Sequence, residues 1–221
     1  MDILTAITQR RATRAFLPEP VDDASVRRII ETARWAPSGV NTQPWQVAVL
    51  RDETRARLTQ ALLAARAEGR EPAPDYAYYP ARWEEPFRSR RRECGLRLYQ
   101  ALGVSKDDPQ AREIAWRNNY SFFGAPRALL FFLPRGVATG SWLDMGMFLQ
   151  NVMLAALAEG LATCPQASIA DYPDIVRELL GLEDDLMLVC GMALGHADPE
   201  AAVNQYRLPR AALEDFCRWY P

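Results

Sequence analysis

The 221-residue chain is 49% hydrophobic and carries a formal net charge of −2, from 26 basic and 28 acidic residues. This balance is typical of a globular protein and gives no overall charge that would draw the chain to nucleic acid or an anionic membrane. The length suits one well-filled domain rather than two. The N-terminal residues lack an apolar signal core, and the apolar stretches 128–133 and 145–158 are too short or too interrupted to span a bilayer, so we expect a cytoplasmic protein.

The first half of the chain alternates helical periodicity with short apolar runs. Apolar residues three and four apart predict helices at 2–9, at 22–34 with Asp22 or Asp23 as N-cap, and at 52–68, and an apolar run predicts a buried strand at 45–50. Residues 69–92 lose any regular period and carry several prolines and aromatics. We interpret residues 69–122, with predicted helices at 85–102 and 109–122, as a lid-like excursion of a single 1–221 domain.

The second half carries the most apolar segments. Strands are predicted at 127–133, 161–164 and 186–194, and helices at 143–160, at 172–180 (ending at Gly181) and at 209–219. The 143–160 helix is apolar almost all round, so it should lie centrally or pack against a partner subunit. Helices and strands intermix without a strict βαβ rhythm, which favours an α+β fold with a sheet between helices.

Cysteine and histidine usage argues against a metal site or a nucleophile device. The four cysteines form no CxxC pair, and Cys164 and Cys190 sit in apolar surroundings that predict reduced core residues. His196 is the single histidine, and its place after Gly195 in a polar turn predicts a surface residue rather than a base. We therefore expect neither a bound metal nor a catalytic acid, base or nucleophile on the protein.

Two polar segments in the N-terminal part have the chemistry of an anion and heterocycle site. Arg10, Arg11 and Arg14 lie within five residues, and the guanidinium fork suits a phosphate, although a solvated basic turn is the more ordinary interpretation of this segment alone. Residues 36–45 form a stiff turn of small, amide and hydroxyl residues, in which Asn41 and Gln43 offer both donors and acceptors. An ordinary helix-to-strand connection would have similar residues.

Two further polar segments lie in the C-terminal part. The first runs from Gly160 to Ser168, and the second from Gly191 to His196, followed by Asn204, Arg207 and Arg210. The glycine spacing is not that of a GxGxxG fingerprint, and no Walker lysine follows. Singly, each of these segments is a weak signal.

Together, the four segments resemble the nitroreductase family of flavoproteins. The run Arg10-Arg11-Ala12-Thr13-Arg14 is similar to the family's opening basic motif, and residues 37–45 match its signature turn closely. Residues 160–164, 193–196 and 204–210 match further blocks in the same order, so the resemblance spans nearly the whole chain. The middle segment, 69–122, is most similar to the nitrobenzoate- and nitrofuran-reductase branch.

The resemblance implies a fold and a cofactor site. It implies an α+β fold with a mixed, mostly antiparallel sheet flanked by helices, and an intertwined homodimer with FMN at each of two interface sites. Arg10, Arg11 and Arg207 would hold the FMN phosphate beside Ala12, and Arg14 would lie near the pyrimidine end of the ring. The partner subunit would contribute Pro37, Ser38, Gly39, Asn41 and Gln43, and backbone near flavin N5 would come from Pro165, Gln166 and Ala167.

Two positions depart from the family pattern. Family members often carry a lysine or arginine at the position of Gln205, and Arg210 is the candidate substitute. Many members have a glutamate–glycine pair in the third block, where this chain has Gln166-Ala167-Ser168. A backbone contact would survive that change, but a side-chain contact would not.

The absence of an obvious acid–base pair or nucleophile agrees with a flavin carrying the chemistry. The resemblance implies a ping-pong cycle, in which NADH or NADPH reduces the flavin and a flat, electron-poor nitroaromatic or quinone then takes two electrons. Water would serve as the proton source. The aromatic residues of the excursion either cover this site or form a satellite cluster beneath a loop. They are Tyr76, Tyr78, Tyr79, Trp83 and Phe87, and Trp116, Asn119, Tyr120, Phe122 and Phe123 are further candidates for the pocket or the core.

Alternatives to nitro or quinone reduction remain open at this point. A nitroreductase-like flavoenzyme could instead carry out reductive dehalogenation or alkene or imine reduction. Outside enzymes, a nucleic-acid-binding module could use the basic run Arg88, Arg90, Arg91 and Arg92, although the flanking glutamates favour a solvated helix face. A third possible use of this run is pairing with the extra phosphate of NADPH. We expect no nucleic-acid partner and no membrane partner.

Overall fold

A computed structural model describes residues 2–105 and 107–221. Within these residues, seven α-helices surround one sheet, and several short 3-10 turns join them. The helices are α1 (Ile3–Gln9), α2 (Asp23–Ala33), α3 (Asp52–Ala67), α4 (Phe87–Ala101), α5 (Pro109–Arg117), α6 (Gly140–Ala158) and α7 (Pro173–Leu180). The strands are β1 (Gln46–Leu50), β2 (Arg127–Pro134), β3 (Ala162–Gln166) and β4 (Leu186–Gly195).

The sheet has the strand order β1-β2-β4-β3, and each neighbouring pair is antiparallel. The register places Val49 opposite Leu129, Leu129 opposite Met192, and Cys164 opposite Ala193. A single parallel bridge joins Ala12 to Thr163 at the free edge of β3. The sheet is therefore mixed and mostly antiparallel, and the predicted α+β fold is confirmed.

Helices cover both faces of the sheet, because the side chains of β2 alternate between two buried clusters. Leu129 and Phe131 point into a cluster with Ile29 of α2 and Phe148 of α6. On the opposite face, a second cluster joins Leu130 and Phe132 of β2 to Leu58 and Leu62 of α3 and Val176 of α7. The continuous apolar run of β2 reflects this burial on both faces.

The ends of the helices follow the local sequence signals. Asp22 caps α2, and its carboxylate accepts a hydrogen bond from the Ser25 backbone at 2.7 Å. Gly181 ends α7 with a φ of 63°, a left-handed conformation that glycine adopts without steric cost. Both predictions are confirmed.

The excursion at 69–122 is fastened to the sheet through Asp75. Its side chain is 5% exposed and pairs with Arg177 at 2.8 Å and with Arg135 at 2.7 Å. The same carboxylate accepts a hydrogen bond from the Leu188 backbone at 2.9 Å. Next to it, Tyr76 donates its hydroxyl proton to the Val189 carbonyl at 2.6 Å. The start of the excursion is thus held against β4, and α4 and α5 follow from this anchored segment.

Three sequence-based expectations about elements are wrong in part. Residues 209–219 form no α-helix but only a 3-10 turn at Leu213–Asp215, and Phe216 and Trp219 remain 71% and 85% exposed, so no packing stabilises a helix there. Strand β1 is not buried, because it is an edge strand in which only Leu50 is fully covered. The helix expected at 109–122 ends at Arg117 and gives way to a 3-10 turn at Phe122–Gly124.

Over the described ranges, no helix combines the length and the apolar character that crossing a bilayer requires.

Candidate functional site

The basic N-terminal segment lies along the free edge of the sheet. Ala12 bridges to Thr163 of β3, and the Thr13 N–H donates to the Thr163 carbonyl at 2.9 Å. On its other side, the segment is held by Asn204, which is 2% exposed. The Asn204 amide accepts from the Arg14 N–H at 2.9 Å and donates to the Ala15 carbonyl at 2.8 Å. Three distant parts of the sequence therefore meet at one edge of β3.

A groove of about 540 Å³ opens beside this edge and collects most of the expected phosphate ligands. Its lining combines the end of α1, the basic segment and the segment after Asn204. The residues are Ile7, Thr8, Arg10, Arg11, Ala12, Arg14, Gln150, Val203, Tyr206, Arg207, Leu208 and Arg210. The structure thus brings together five of the arginines that the sequence singled out.

The positive charge of this groove is not balanced within the chain. In the parts of the chain that the structure describes, none of these five guanidinium groups has a carboxylate within 4.0 Å. Burial and the nearby charge of Arg210 hold the pKa of Arg10 below its usual value. Because like charges are gathered here at a cost, the groove is suited to an anion with several acceptor oxygens.

Arg207 and Arg210 occupy different positions in the groove. Arg207 donates to the carbonyls of Thr8 at 2.7 Å and Gln9 at 3.0 Å, so it satisfies the C-terminal end of α1. Arg210 lines the groove next to Arg10, whereas Gln205 turns its amide to the Pro199 carbonyl and does not line it. Arg210 therefore supplies a cation to the groove, and Gln205 does not contribute to it.

A second cavity, of about 450 Å³, adjoins the first, and Arg14 lines both. One wall is the end of β3 with the 3-10 turn Ala167–Asp171, and the other is the excursion and the region around α5. The lining residues are Arg14, Pro74, Tyr76, Ala77, Tyr78, Tyr79, Trp116, Asn119, Cys164, Pro165, Gln166, Ala167, Ser168, Ala170 and Asp171. The aromatic residues that were candidates for a cover are thus divided: Tyr76, Tyr78 and Tyr79 line the cavity, whereas Trp83 and Phe87 do not. Of the further candidates for the pocket, Trp116 and Asn119 line it.

Two buried polar atoms in this cavity have no partner. Gln166 is 3% exposed, and its Nε2 donates to the Asn119 carbonyl at 2.5 Å, which fixes the orientation of the amide. Gln166 Oε1 and Ser168 Oγ are buried, and neither has a hydrogen-bond partner among the described residues. Because buried polar groups are almost always paired in native proteins, these two atoms point to a polar ligand or ordered water.

The turn that follows α2 lies away from both cavities of its own chain. Pro37, Ser38, Gly39, Asn41 and Gln43 line neither cavity. The backbone of the turn is strained, because Asn41 and Gln43 have φ angles of 60° and 49°, and Val40, a β-branched residue, has 43°. Asp144, which is buried in α6, anchors the turn by accepting from the Gly39 N–H at 3.2 Å. The turn is therefore built as an exposed projection, and Val40 at its tip is 97% exposed.

Two of the four cysteines, Cys164 and Cys190, are buried in the core, and the single histidine follows directly after β4. Burial raises the pKa of the Cys164 thiol to about 11 and that of Cys190 to about 12, so both stay protonated at neutral pH. Both are buried and free, which confirms the prediction of reduced core residues. His196 is half-buried rather than fully exposed, and its carbonyl accepts from the Leu17 N–H at 2.9 Å. Across the described residues, no group of three or more metal-ligating side chains gathers.

The basic run at residues 88–92 forms the exposed first turns of α4. Arg88 pairs with Glu85 at 2.7 Å, Arg90 lies over the Phe87 ring, and Arg91 lies over the Trp83 ring. These partners are local, as expected for a solvated helix face. The run does not line either cavity.

Sequence reasoning missed two residues that shape the site and did not predict the role of a third. Asp144 and Asp171 have no neighbouring motif, and the burial of a lone aspartate inside an apolar helix was the one available signal for Asp144. Asn204 was recognised only as part of a block, whereas it ties together the carbonyls of Ala15 and Asp198 and the N–H of Arg14.

Comparison with known proteins agrees with this geometry. The model of the nitroreductase family matches residues 7–196. This chain belongs to the nitroreductase family. The resemblance inferred from the four polar segments is confirmed by a match that covers most of the chain.

Several relatives of this nitroreductase-family chain have described activities. A 4-nitrobenzoate reductase of Pseudomonas putida is 39% identical over 216 residues, which cover 97% of this chain and 94% of the relative. The nitroreductase NfnB of Mycolicibacterium smegmatis is 40% identical over 213 residues, covering 96% and 90%. The nitrobenzoate-reductase branch that residues 69–122 indicated is thereby confirmed.

Solved structures of the family agree with the fold over its full length. The FMN- and NADPH-dependent nitroreductase NfnB of Sphingopyxis sp. strain HMH is 42% identical, with a TM-score of 0.98 and complete coverage of both chains. The FMN-dependent NfnB of Mycobacterium smegmatis, solved in complex with NADPH, is 39% identical, with a TM-score of 0.94 over 99% of this chain and 97% of that one.

Proposed function

We propose that this protein is an FMN-dependent nitroreductase that takes two electrons from NADPH or NADH and passes them to a flat, electron-poor acceptor in a ping-pong cycle. The observation that carries the proposal is the pair of adjoining cavities that share Arg14. One is lined by arginines without carboxylate partners, and the other holds unpaired buried polar atoms. FMN combines a phosphate with a polar heterocycle, so its two ends match the two cavities.

The residues of this chain fit both the phosphate and the ring of the proposed cofactor. Arg10, Arg11, Arg207 and Arg210 would hold the phosphate, with the Ala12 backbone beside it. Arg14 would lie at the pyrimidine end of the ring, where a cation favours the extra negative charge of the reduced cofactor. The backbone of Pro165, Gln166 and Ala167 would pass the ring edge, and Gln166 Oε1 is available to accept from a ring N–H.

The chain supplies position and electrostatics, while bound FMN would supply reversible two-electron chemistry. The aromatic walls formed by Tyr76, Tyr78, Tyr79 and Trp116 offer flat apolar surfaces on which a planar substrate stacks. One open cavity serves the nicotinamide and the acceptor in turn, so no separate dinucleotide fold is needed. Nitroaromatics are the favoured acceptors because the relatives include 4-nitrobenzoate and nitrobenzene reductases.

We also propose a homodimer in which the turn at residues 37–43 completes the partner's site. Support comes from its exposed, strained backbone and from apolar side chains that the single chain leaves uncovered. These are Val40, Leu143, Phe216, Trp219 and Tyr220. The remaining site assignment follows from this arrangement: Pro37, Ser38, Gly39, Asn41 and Gln43 reach the cofactor of the other subunit.

We propose further that residues 1–221 form a single domain. The two buried clusters share one sheet, and the excursion is anchored to β4 through Asp75, which favours one cooperative unit with the excursion as a cover. The cytoplasmic location stays a prediction from the sequence.

An anaerobic absorbance experiment tests the function. The purified protein is reconstituted with FMN, NADPH is added without oxygen, and 4-nitrobenzoate is then added. We expect flavin bands that bleach with NADPH and return with the nitro compound, and we expect Arg10→Ala to lose the bands on gel filtration. A wild-type protein that does not retain FMN, or whose bands do not respond to NADPH or NADH, would contradict the proposal.

A further inference from the structure

Asp171 is an acidic residue that lines the cavity proposed for the acceptor. It ends the 3-10 turn Ala167–Asp171, directly after the β3 segment that lines the same cavity. Among the described residues that line this cavity, it is the one carboxylic acid, and Arg14 is the one strong cation. The position is fixed by the backbone, because the Asp171 carbonyl accepts from the Ala73 N–H at 2.9 Å.

The carboxyl is partnered by a phenol rather than by an arginine. Tyr120, which is fully buried, donates its hydroxyl proton to Asp171 Oδ2 at 3.0 Å. Within the described residues, Asp171 forms no ion pair, whereas Asp75 and Asp174 each pair with an arginine. The fold therefore leaves this carboxyl without the compensation that keeps an aspartate permanently charged.

Burial raises the pKa of Asp171 above its usual value, while the Tyr120 hydrogen bond and the charge of Arg66 on α3 act in the opposite direction. The pKa of Tyr120 is itself raised, first by burial and then by Asp171, so the phenol remains a donor across the working range of pH. The other titratable or charged groups near this carboxyl are Arg14, Tyr76, Tyr78, Tyr79 and Cys164, which line the cavity, and Tyr172, whose ring lies beside that of Tyr120.

We propose that Asp171 is the proton donor for the acceptor half of the cycle and that Tyr120 is its positioning residue. The proposal rests on the proposed nitroreductase function. A carboxyl that lines the acceptor cavity, lacks a cationic partner and is oriented by a buried phenol has the geometry of a general acid. No other aspartate or glutamate of the described chain lines this cavity.

The step balances for a nitro group. Conversion of the nitro to the nitroso compound consumes two electrons and two protons, breaks one N–O bond and releases one water. NADPH supplies both electrons and one proton by way of the flavin. Asp171 gives the second proton to the nitro oxygen that leaves as water, and its carboxylate then regains a proton from solvent.

Rapid-mixing kinetics on the FMN-loaded enzyme separate this role from the rest of the cycle. In Asp171→Asn, which keeps an acceptor for Tyr120, we expect the rate of flavin reoxidation by 4-nitrobenzoate to fall about 100-fold, as for loss of a general acid. The rate of flavin reduction by NADPH should stay at the wild-type value. The matched control is Asp174→Asn, three residues along the chain, which removes an exposed ion pair with Arg70 and should leave both rates unchanged.

The Tyr120→Phe variant tests the positioning role. Only the protonated acid donates, so the wild-type reoxidation rate should fall as pH rises through the pKa of Asp171. The Tyr120 hydrogen bond stabilises the carboxylate. Without it the pKa of Asp171 should rise, so the fall in the reoxidation rate, called here the alkaline limb, should move to higher pH. Infrared titration of the flavin-free protein gives a second readout: the carbonyl band of a protonated carboxyl should shift in Tyr120→Phe and disappear in Asp171→Asn.

The outcomes distinguish this inference from the proposed function. A wild-type flavin that NADPH does not reduce would contradict the function itself. A wild-type enzyme that completes the cycle, together with an Asp171→Asn reoxidation rate and pH profile equal to wild type, would overturn the role of Asp171 alone. A Tyr120→Phe limb that stays at the wild-type pH would overturn the positioning role.

Discussion

At the scale of single residues, the groove gathers positive charges that do not by themselves stabilise the folded chain. Arg10 is half-buried beside Arg210, and the one hydrogen bond that its side chain donates to the described residues goes from NH1 to the Met153 sulfur, at 3.7 Å. Burial of an uncompensated guanidinium costs free energy, and the cost is relieved when an anion enters. Arg207 differs, because its guanidinium already satisfies two carbonyls at the end of α1. The arginines are thus not equivalent, although the sequence presents them alike.

This difference predicts opposite behaviour of Arg207→Ala and Arg210→Ala in the flavin-free protein. Arg207→Ala removes hydrogen bonds from the end of α1 and should lower the free energy of unfolding by about 1 kcal/mol. Arg210→Ala relieves repulsion of Arg10 and should leave it unchanged or higher. Both variants should weaken FMN binding, by about 10-fold for the loss of one charge-assisted contact.

Thermal unfolding of the flavin-free variants and fluorescence titration with FMN provide the two measurements. An Arg210→Ala protein that binds FMN as tightly as wild type would show that Arg210 does not replace the cation missing at Gln205. Equal destabilisation of the two variants would contradict the capping role assigned to Arg207.

At the scale of elements, the sequence predicted most of the fold but missed features that depend on neighbours. Strands β2 and β4 and helix α7 follow directly from apolar runs and a terminal glycine. The helix expected at 209–219 is wrong, because periodicity reports an apolar face without saying whether anything covers it. Strand β1 was expected to be buried, but its place at the sheet edge depends on pairing that no local pattern encodes.

The candidate site shows the same division. The arginines and the 165–167 segment were identified because they lie in recognisable blocks. Asp171 was missed because its chemistry arises from Tyr120, 51 residues away in the chain, and from burial that the sequence does not display. Long-range partners therefore determine the part of the site that sequence reasoning could not reach.

The anchor of the excursion leads to a prediction about acid stability. Burial alone would raise the pKa of Asp75, but hydrogen bonds from Arg177, the Leu188 N–H and Arg135 outweigh it and hold the pKa below its usual value. A lowered pKa in the folded state contributes stability above the unfolded value, about 3.9, and that contribution is lost as pH falls through the folded value. Asp75→Asn should therefore cost on the order of 2 kcal/mol at neutral pH, and the cost should shrink below about pH 4.

Urea unfolding of the flavin-free protein between neutral and acidic pH measures this difference. Asp184→Asn is the matched control, since Asp184 contacts the same two arginines but its side chain is 80% exposed, so it should change stability little. A difference between wild type and Asp75→Asn that is the same at every pH would contradict the assigned linkage.

At the scale of the whole molecule, the single chain leaves one turn strained and uncovered. The proposed homodimer accounts for the strain and exposure of this turn, because the turn would pack against a second copy of the chain. Val40→Asp should weaken the dimer, since it places a charge at a tip that is 97% exposed in one chain. Val40→Asn provides the control for backbone effects, because asparagine tolerates a positive φ better than valine does.

Sedimentation velocity and the retained flavin absorbance are measured together. We expect Val40→Asp to sediment as a monomer where wild type is a dimer, to lose FMN in parallel and to keep its far-ultraviolet circular dichroism. Val40→Asn should stay closer to wild type in both measurements. A wild-type protein that is monomeric with FMN bound would contradict the shared site.

The hydrogen bonds of Asn204 to Arg14 and Ala15 have a consequence for folding during synthesis. Asn204 and Arg14 are 190 residues apart in the chain, and Thr163 of β3 lies between them in sequence. Contacts of such separation form late, because the loop between them must close first. During synthesis, the contacts of Arg14 and Ala15 with Asn204 therefore cannot form until residue 204 has emerged from the ribosome. The groove proposed for the FMN phosphate also needs Arg207 and Arg210, so in this proposal flavin cannot act as a template for early folding.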